Sequence, residues 1–261
     1  MKTPKKGKVD TYFLGFDWHT DALHIPTYNI FRKHAARVPK KGRKAIIGGD
    51  FVDCLHLMLK DGEMKKAAKS VPKIEELIAL SDLEFEWANK ILDEMQKDFE
   101  EVTYLFGNHG HRYFKWLKYC PPEYAHHFDI VERLDLKKRK VKYVMYPDYL
   151  DIGDLSVTHG YKHGQNHNDE MMKINNCSIL YGHVHHYNCK SYSHRGESKR
   201  ATSSPTMSDT SPDYQLKRGE NNWSNGYMVL NMRSDGLFNL YCFEVWKDKL
   251  VLPDGTILDG K

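Results

Sequence analysis

Short apolar runs alternate with helical periodicities through the first half of the chain. Tyr12–Phe16 is apolar and ends at Asp17-Trp18-His19, which predicts a buried strand opening into a loop. Pro26 starts a helix reaching Val38, with Ile30, Phe31 and Ala35 on one face. Ala45–Ile47 predicts a second strand, closed by Gly48-Gly49-Asp50, and Phe51–Lys60 reads as a helix beginning directly after those glycines. Asp61 to Lys73 is polar, holds Gly62 and Pro72, and reads as a connection. Apolar positions Leu77, Ile78, Phe85, Ala88, Ile91, Leu92, Met95 and Phe99 recur at helical spacing across Ile74–Phe99. Ser81-Asp82 is a candidate break within that stretch.

Val102–Phe106 predicts a strand ended by Gly107-Asn108-His109, and Arg112–Lys118 a helix stopped by Pro121-Pro122. Val141–Tyr146, Leu155–Thr158 and Ser178–Tyr181 predict strands. The last two end at His159-Gly160 and Gly182-His183-Val184-His185. From His186 to Asn225 the chain is polar and reads as one long loop, a length that usually signals function or mobility. Tyr227–Met232 and Leu237–Trp246 flank Ser234-Asp235-Gly236 as a hairpin, and Asp254-Gly255 marks another turn. Alternating strands and helices followed by late strands predict a single α/β domain over 1–261, with sheets inside and helices outside.

Composition narrows this picture only a little. Hydrophobic residues make up 40% and charged residues 28% of 261, which excludes wholesale disorder. A net charge of +4 does not mark a nucleic-acid binder, but the lysines cluster in Met1–Lys8, Lys40–Lys44 and Lys137–Lys142. Such runs are usually solvated surface; they bear on a phosphate-rich partner only if they flank a site. Five cysteines with no C-x-x-C pair argue against a disulfide framework or a thiolate zinc site, and point to a reducing compartment. The N-terminus lacks the apolar core of a signal peptide, and no run reaches the ~18 apolar residues of a membrane span. A cytoplasmic protein with no membrane partner is the expectation.

Five segments that each follow a predicted strand carry ligand-type residues: Asp17-x-His19, Gly49-Asp50-x-x-Asp53, Gly107-Asn108-His109, His159-Gly160 and Gly182-His183-x-His185. Any one of them is weak, since a lone histidine is more often a surface or core residue than a ligand. Together they put carboxylate, imidazole and amide donors at strand ends, where open α/β sheets place their ligands. That donor set suits Mn, Fe, Zn or Co.

In this order the segments resemble the signature of the calcineurin-like metallophosphoesterase superfamily, whose members include nucleases, phosphodiesterases and phosphatases. The resemblance runs from about Tyr12 to His186, and the final strands fit the second half of the family's two-sheet sandwich more loosely. It implies an α/β/β/α sandwich: two mixed sheets packed face to face, with helices on the outer faces. It further implies two divalent metal ions, Mn²⁺ first, with Fe, Zn, Ni and Co as alternatives. By position, Asp17, His19 and His185 would hold one ion, Asn108, His159 and His183 the other, and Asp50 would bridge them. His109 matches the histidine that protonates the leaving oxygen, and Asp53 the carboxylate that orients it. Two departures stand out: Gly110 where the family places an acid, and Thr20-Asp21 where it places a glycine.

Beyond that set, Arg112 could bind phosphate from the first turn of its helix or be a surface arginine. His163, His167, His186 and His194 read as surface loop residues, with substrate contact as the minority role. Trp18 packs either on a substrate or in the core. Tyr187, Tyr192 and Trp223 flank the basic stretch Lys190–Arg200, a mixture that can stack bases or form an ordinary loop. The expected activity is hydrolysis of phosphate esters. A phosphodiester such as DNA, RNA or a nucleotide is preferred, because His109 and Asp53 suit a poor leaving group and because of the lysine blocks. A phosphomonoesterase acting on protein or small molecules stays open, as does a homodimer. An inactive binding module of the same fold, or a purely structural metal protein, leaves the complete donor set unexplained.

Overall fold

A computed structural model describes residues 9–194, 197–211 and 221–261. The chain runs β1 (Val9–Gly15), α1 (Ile25–Ala35), β2 (Arg43–Gly48), α2 (Asp61–Ala67), α3 (Val71–Asp98), β3 (Glu101–Leu105), α4 (His111–Leu117) and α5 (Ile130–Arg133). It continues through β4 (Lys142–Val144), β5 (Leu150–Ile152), β6 (Leu155–Thr158), α6 (His167–Asn175), β7 (Ser178–Tyr181), β8 (Asn188–His194) and β9 (Glu197–Ser203). It ends with β10 (Gly226–Arg233), β11 (Phe238–Glu244), β12 (Lys249–Val251) and β13 (Ile257–Asp259).

Two mixed sheets result. The first has the order β11-β10-β1-β2-β3-β4, with β1 to β4 parallel; the second has the order β5-β6-β7-β9-β8, with β6, β7 and β9 parallel. One apolar cluster draws on both sheets: Leu14, Ile46, Leu105, Met228 and Leu230 from the first, Leu155, Val157 and Leu180 from the second. On its other face the first sheet packs Phe13, Ala45 and Tyr104 against Ile30 and Phe31 of α1 and Phe85, Ile91 and Leu92 of α3. The second sheet packs Ile179, Tyr181 and Ala201 against Met171 and Met172 of α6. This layering is compatible with a sandwich. No helix among the described residues is long and apolar enough to cross a membrane, and all five cysteines are free.

Several expectations are corrected. The final strands do not enter a second sheet: β10 pairs antiparallel with β1, so the C-terminal hairpin extends the first sheet. The second sheet is built from the middle of the chain, including the β8–β9 hairpin inside the stretch read as a loop. There, 201–208 is buried although it reads Ala-Thr-Ser-Ser-Pro-Thr-Met-Ser. Phe51–Lys60 is not a helix. Asp50 and Cys54 both adopt positive φ (40° and 56°), which interrupts any right-handed coil, and only Leu55–Leu57 turns. Asp61–Lys73 is not a mere connection, because Glu63 accepts the Lys60 backbone N–H at 2.7 Å and opens α2. Pro72 lies in the first turn of α3, where a missing N–H costs nothing. Ser81 does not break α3, since its hydroxyl donates back to the Leu77 carbonyl at 2.8 Å and the 28-residue helix runs on. β5 and α6 carried no pattern strong enough to be expected.

Candidate metal centre

All five ligand-bearing segments leave the C-terminal ends of parallel strands. Asp17 and His19 follow β1, Asp50 and Asp53 follow β2, and Asn108 and His109 follow β3. From the second sheet, His159 follows β6, and His183 and His185 follow β7. Carrying them there forces unusual backbone: Asp17, His19, Asp50, His183 and His185 all have φ between 40° and 70°. The left-handed region costs a non-glycine residue about 1 kcal/mol or more, and such residues gather where function outweighs strain. Gly107 lets two of these loops close, since a Cβ there would run into the Asp50 carboxylate.

The result is convergence. Asp17, His19 and His185 form one group whose ligand atoms lie within 4.8 Å of one another, and Asp50, His159 and His183 form another. Asp50 Oδ2 lies 3.2 Å from His159 Nε2 and 3.7 Å from His109 Nε2, while its Oδ1 accepts the His109 backbone N–H at 2.8 Å. Asp17 Oδ1 lies 3.3 Å from His185 Nε2 and 3.9 Å from His159 Nδ1, and the Asp17 carboxylate also accepts the His183 backbone N–H. Asn108 Oδ1 sits 2.9 Å from His159 Nε2. All seven expected ligands therefore meet in one place.

This donor set fits a divalent cation. The His159 Nδ1–H donates to the Gly48 carbonyl at 3.2 Å, leaving Nε2 facing two acceptor oxygens, from Asn108 and Asp50. Three lone-pair atoms converging in this way need a proton or a cation among them. His19 Nδ1–H donates to Asp53 at 3.0 Å, which leaves its Nε2 buried with no hydrogen-bond partner; His185 Nδ1 is in the same state. A second ring nitrogen fixed by a carboxylate or carbonyl is the usual arrangement behind a metal-ligating imidazole.

Electrostatics agree with the geometry. Burial pushes the Asp50 carboxyl up, but His159 first and then His109 and His19 outweigh it and hold it well below its ordinary range. For Asp17, burial is likewise overcome, by His185 and His159. Burial pulls His159 down, yet Asp50 and then Asp17 raise it to about 9. His183, shielded by burial and repelled by His159, falls to about 4.

Asp53 does more than expected. Its Oδ1 accepts from His109 Nδ1 at 2.5 Å and from His19 Nδ1 at 3.0 Å, so one carboxylate orients both the candidate acid and a candidate ligand. Glu84 of α3, which no sequence pattern singled out, holds Asp53 in turn. Its Oε1 accepts the backbone N–H groups of Asp53 and Cys54 at 2.5 and 2.8 Å, and its Oε2 accepts the Tyr113 hydroxyl at 2.9 Å. Burial first, then Asp21, lifts its carboxyl to about 7. Thr206 was missed as well: its hydroxyl donates to the Asp17 carbonyl at 2.8 Å.

The minor candidates divide. Arg112 donates to the Asp53 carbonyl at 2.7 Å, bracing the loop. His186 sits beside the centre, its Nδ1 on the Val184 carbonyl at 2.9 Å. His167 is not a surface residue but is buried on α6, hydrogen-bonded to the Tyr181 hydroxyl, whereas His163 is exposed. The His194 side chain and the Met1–Lys8 block lie outside the described residues. Trp18 is core, its indole N–H on the Gly15 carbonyl at 2.7 Å. Lys190 and Tyr192 both bind Asp169, so that part of the basic stretch is paired off. The Lys40–Lys44 and Lys137–Lys142 blocks lie at the opposite, N-terminal edge of the parallel strands, and do not flank the centre. A cavity of about 700 Å³ between α1 and α3 holds none of the ligand residues.

A scan against protein-family models and a search of curated proteins both find no match to this chain.

Proposed function

We propose that this protein is a binuclear metal-dependent phosphoesterase of the calcineurin-like type, with Mn²⁺ as the first metal to test. The observation that carries the reading is the convergence of two His/Asp groups of donors, with the Asp50 carboxylate of one group beside a histidine held by a separate carboxylate. The helix–sheet–sheet–helix layering supports it, being compatible with that family's sandwich.

Asp17, His19 and His185 would hold one ion and Asn108, His159 and His183 the other, with the Asp50 carboxylate offsetting the repulsion between them. Two divalent cations supply charge neutralisation at the phosphoryl oxygens and an acidified water at neutral pH. The chain's own residues do the rest. Asp53 fixes the His109 ring so that Nε2 faces the Asp50 side of the centre. From there His109 hands a proton to the departing ester oxygen, a step worth roughly 10²–10⁴-fold. That step matters most for a poor leaving group, which keeps a diester ahead of a monoester. The Lys40–Lys44 and Lys137–Lys142 blocks no longer support this preference, because they lie on the far edge.

The test is metal analysis together with hydrolysis of bis(4-nitrophenyl) phosphate and 4-nitrophenyl phosphate under Mn²⁺. Two ions per chain and turnover of the diester are expected, and Asp50→Ala should remove both. Bound metal without turnover of either ester would favour an inactive binding module. Absence of metal would end the proposal.

A further inference from the structure

A cavity of about 520 Å³ opens beside the centre on the side of His183, which belongs both to its wall and to the candidate ligands. Its other walls include Gln165, His167, His186, Asn188, Asn222 and Trp223. Among the described residues the lining holds no lysine, arginine, aspartate or glutamate. Beside a centre suited to the singly charged phosphate of a diester, that absence selects among ester arms. A second anionic group would find no lysine or arginine among these described residues, whereas a neutral group would lose little on entering.

Besides the imidazoles of His163, His167, His183 and His186, the polar side chains of the lining are of one kind. Three carboxamides, Gln165, Asn188 and Asn222, each offer both a donor and an acceptor. Trp223 supplies an aromatic wall, its ring tilted against that of His185 with centroids 4.1 Å apart. The imidazoles of His167 and His186 stand edge to face at 5.2 Å, and burial holds His167 below its ordinary value. A flat face beside paired donors and acceptors matches the alternating N–H and C=O edge of a nucleobase. The volume exceeds the needs of one nucleoside and falls well short of a folded nucleic acid.

We infer that this cavity is a nucleoside subsite, receiving one ester arm of a nucleotide-type phosphodiester while its phosphate lies at the metal centre. The inference rests on the phosphoesterase reading for the position of the phosphate, but the cavity's own binding can be read separately. The Mn²⁺-loaded protein is assayed on thymidine 5′-(4-nitrophenyl phosphate) and on methyl 4-nitrophenyl phosphate, which share a leaving group. The nucleoside ester should show a KM lower on the order of tenfold, the scale of one base–aromatic stack. Free thymidine or adenosine should compete with it, whereas methyl glucoside should not.

Trp223→Ala and, separately, Asn222→Ala should raise the KM ratio of nucleoside to methyl ester several-fold, with metal content measured alongside. Equal KM values with no competition by either nucleoside overturn the inference while leaving the esterase reading intact, as does competition by the glucoside alone. If neither ester turns over, the esterase reading has failed. Quenching of tryptophan fluorescence by free nucleoside then still decides the cavity, and no quenching overturns it.

Discussion

The two ends of the parallel strands are both rich in charge, and they use it in opposite ways. At the N-terminal edge Lys44 pairs with Asp10 at 3.0 Å and Lys142 with Glu101 at 2.7 Å, each lysine reaching an acid on a neighbouring strand. These contacts, linked by Lys44 lying 3.9 Å from Glu101, are partly exposed and sit on ordinary backbone, the kind that contribute little. At the C-terminal edge Asp17 and Asp50 are buried with His19, His159 and His185, all but His159 on backbone held at positive φ. Buried charge on strained backbone is costly, so its concentration at one edge marks that edge as functional. Density of charge along the sequence does not separate the two ends; burial and convergence do.

The largest effect should come from closing the space between two loops at the buried edge. Gly107→Ala drives a methyl into the Asp50 carboxylate and should reduce metal content and turnover together, turnover by about 10³-fold or more. Gly62→Ala, where an added methyl meets nothing within 4 Å, should change neither. Retained metal and full activity in Gly107→Ala would break the claim that Asp50 is held by shape. Next comes His109→Asn, which should keep the metals and lose roughly 10²–10⁴-fold in turnover. The loss should shrink as the leaving group improves, measured across a series of aryl diesters; an equal loss at every leaving group would remove its role as acid.

What the sequence made legible follows the same division. The ligand set could be read because each member follows an apolar run that is a buried strand, and glycines beside Asp50, Asn108 and His183 announce loops that approach closely. Glu84 could not be read, since a single carboxylate on a helix rich in Glu and Asp looks solvated until Asp53 folds against it. Thr206 and the buried 201–208 stretch were illegible for a related reason. Their side chains are polar, and they are buried by contacts to Asp17 and Phe16 nearly 190 residues earlier rather than by local pattern. The false helix after Gly49 shows the limit of periodicity: Phe51 and Val52 are apolar because they plug the core, while positive φ at Asp50 and Cys54 sets the path.

Glu84 gives an intermediate effect and a sign that can be checked. Its carboxyl rises from an ordinary 4.5 to about 7 on folding, so the folded chain holds its proton more tightly than the unfolded one. The associated stability is fully present below about pH 4.5 and is lost as pH rises through 7, about 3 kcal/mol in all at 1.36 kcal/mol per unit. Glu84→Gln keeps an oxygen for the Asp53 and Cys54 N–H groups but does not titrate. The unfolding free energy of Glu84→Gln minus that of the natural chain should therefore climb by that amount between pH 4.5 and 7.5. Glu84→Leu, which leaves both N–H groups unpaired, should lower turnover about 10–100-fold. A flat difference across pH would show that the carboxylate is not held in the environment its contacts describe.

The smallest effect belongs to the N-terminal edge, and its smallness is the point. Lys41 is exposed beside Glu100 and Glu101, and the Lys142 side chain is 70% exposed despite its pair with Glu101. Removing both as Lys41→Ala with Lys142→Ala should shift stability by less than about 1 kcal/mol, because Lys41 is exposed and solvent already screens what the Lys142–Glu101 pair contributes. The effect on hydrolysis should be smaller still. The strand between the two edges spans six residues, roughly 20 Å, or about two screening lengths at physiological salt. kcat/KM for a small diester should stay within twofold, with no change in its salt dependence. If instead the rate on single-stranded DNA fell tenfold while the small diester was unaffected, a long substrate would have to run from the centre to this edge. The two ends would then act as parts of one surface.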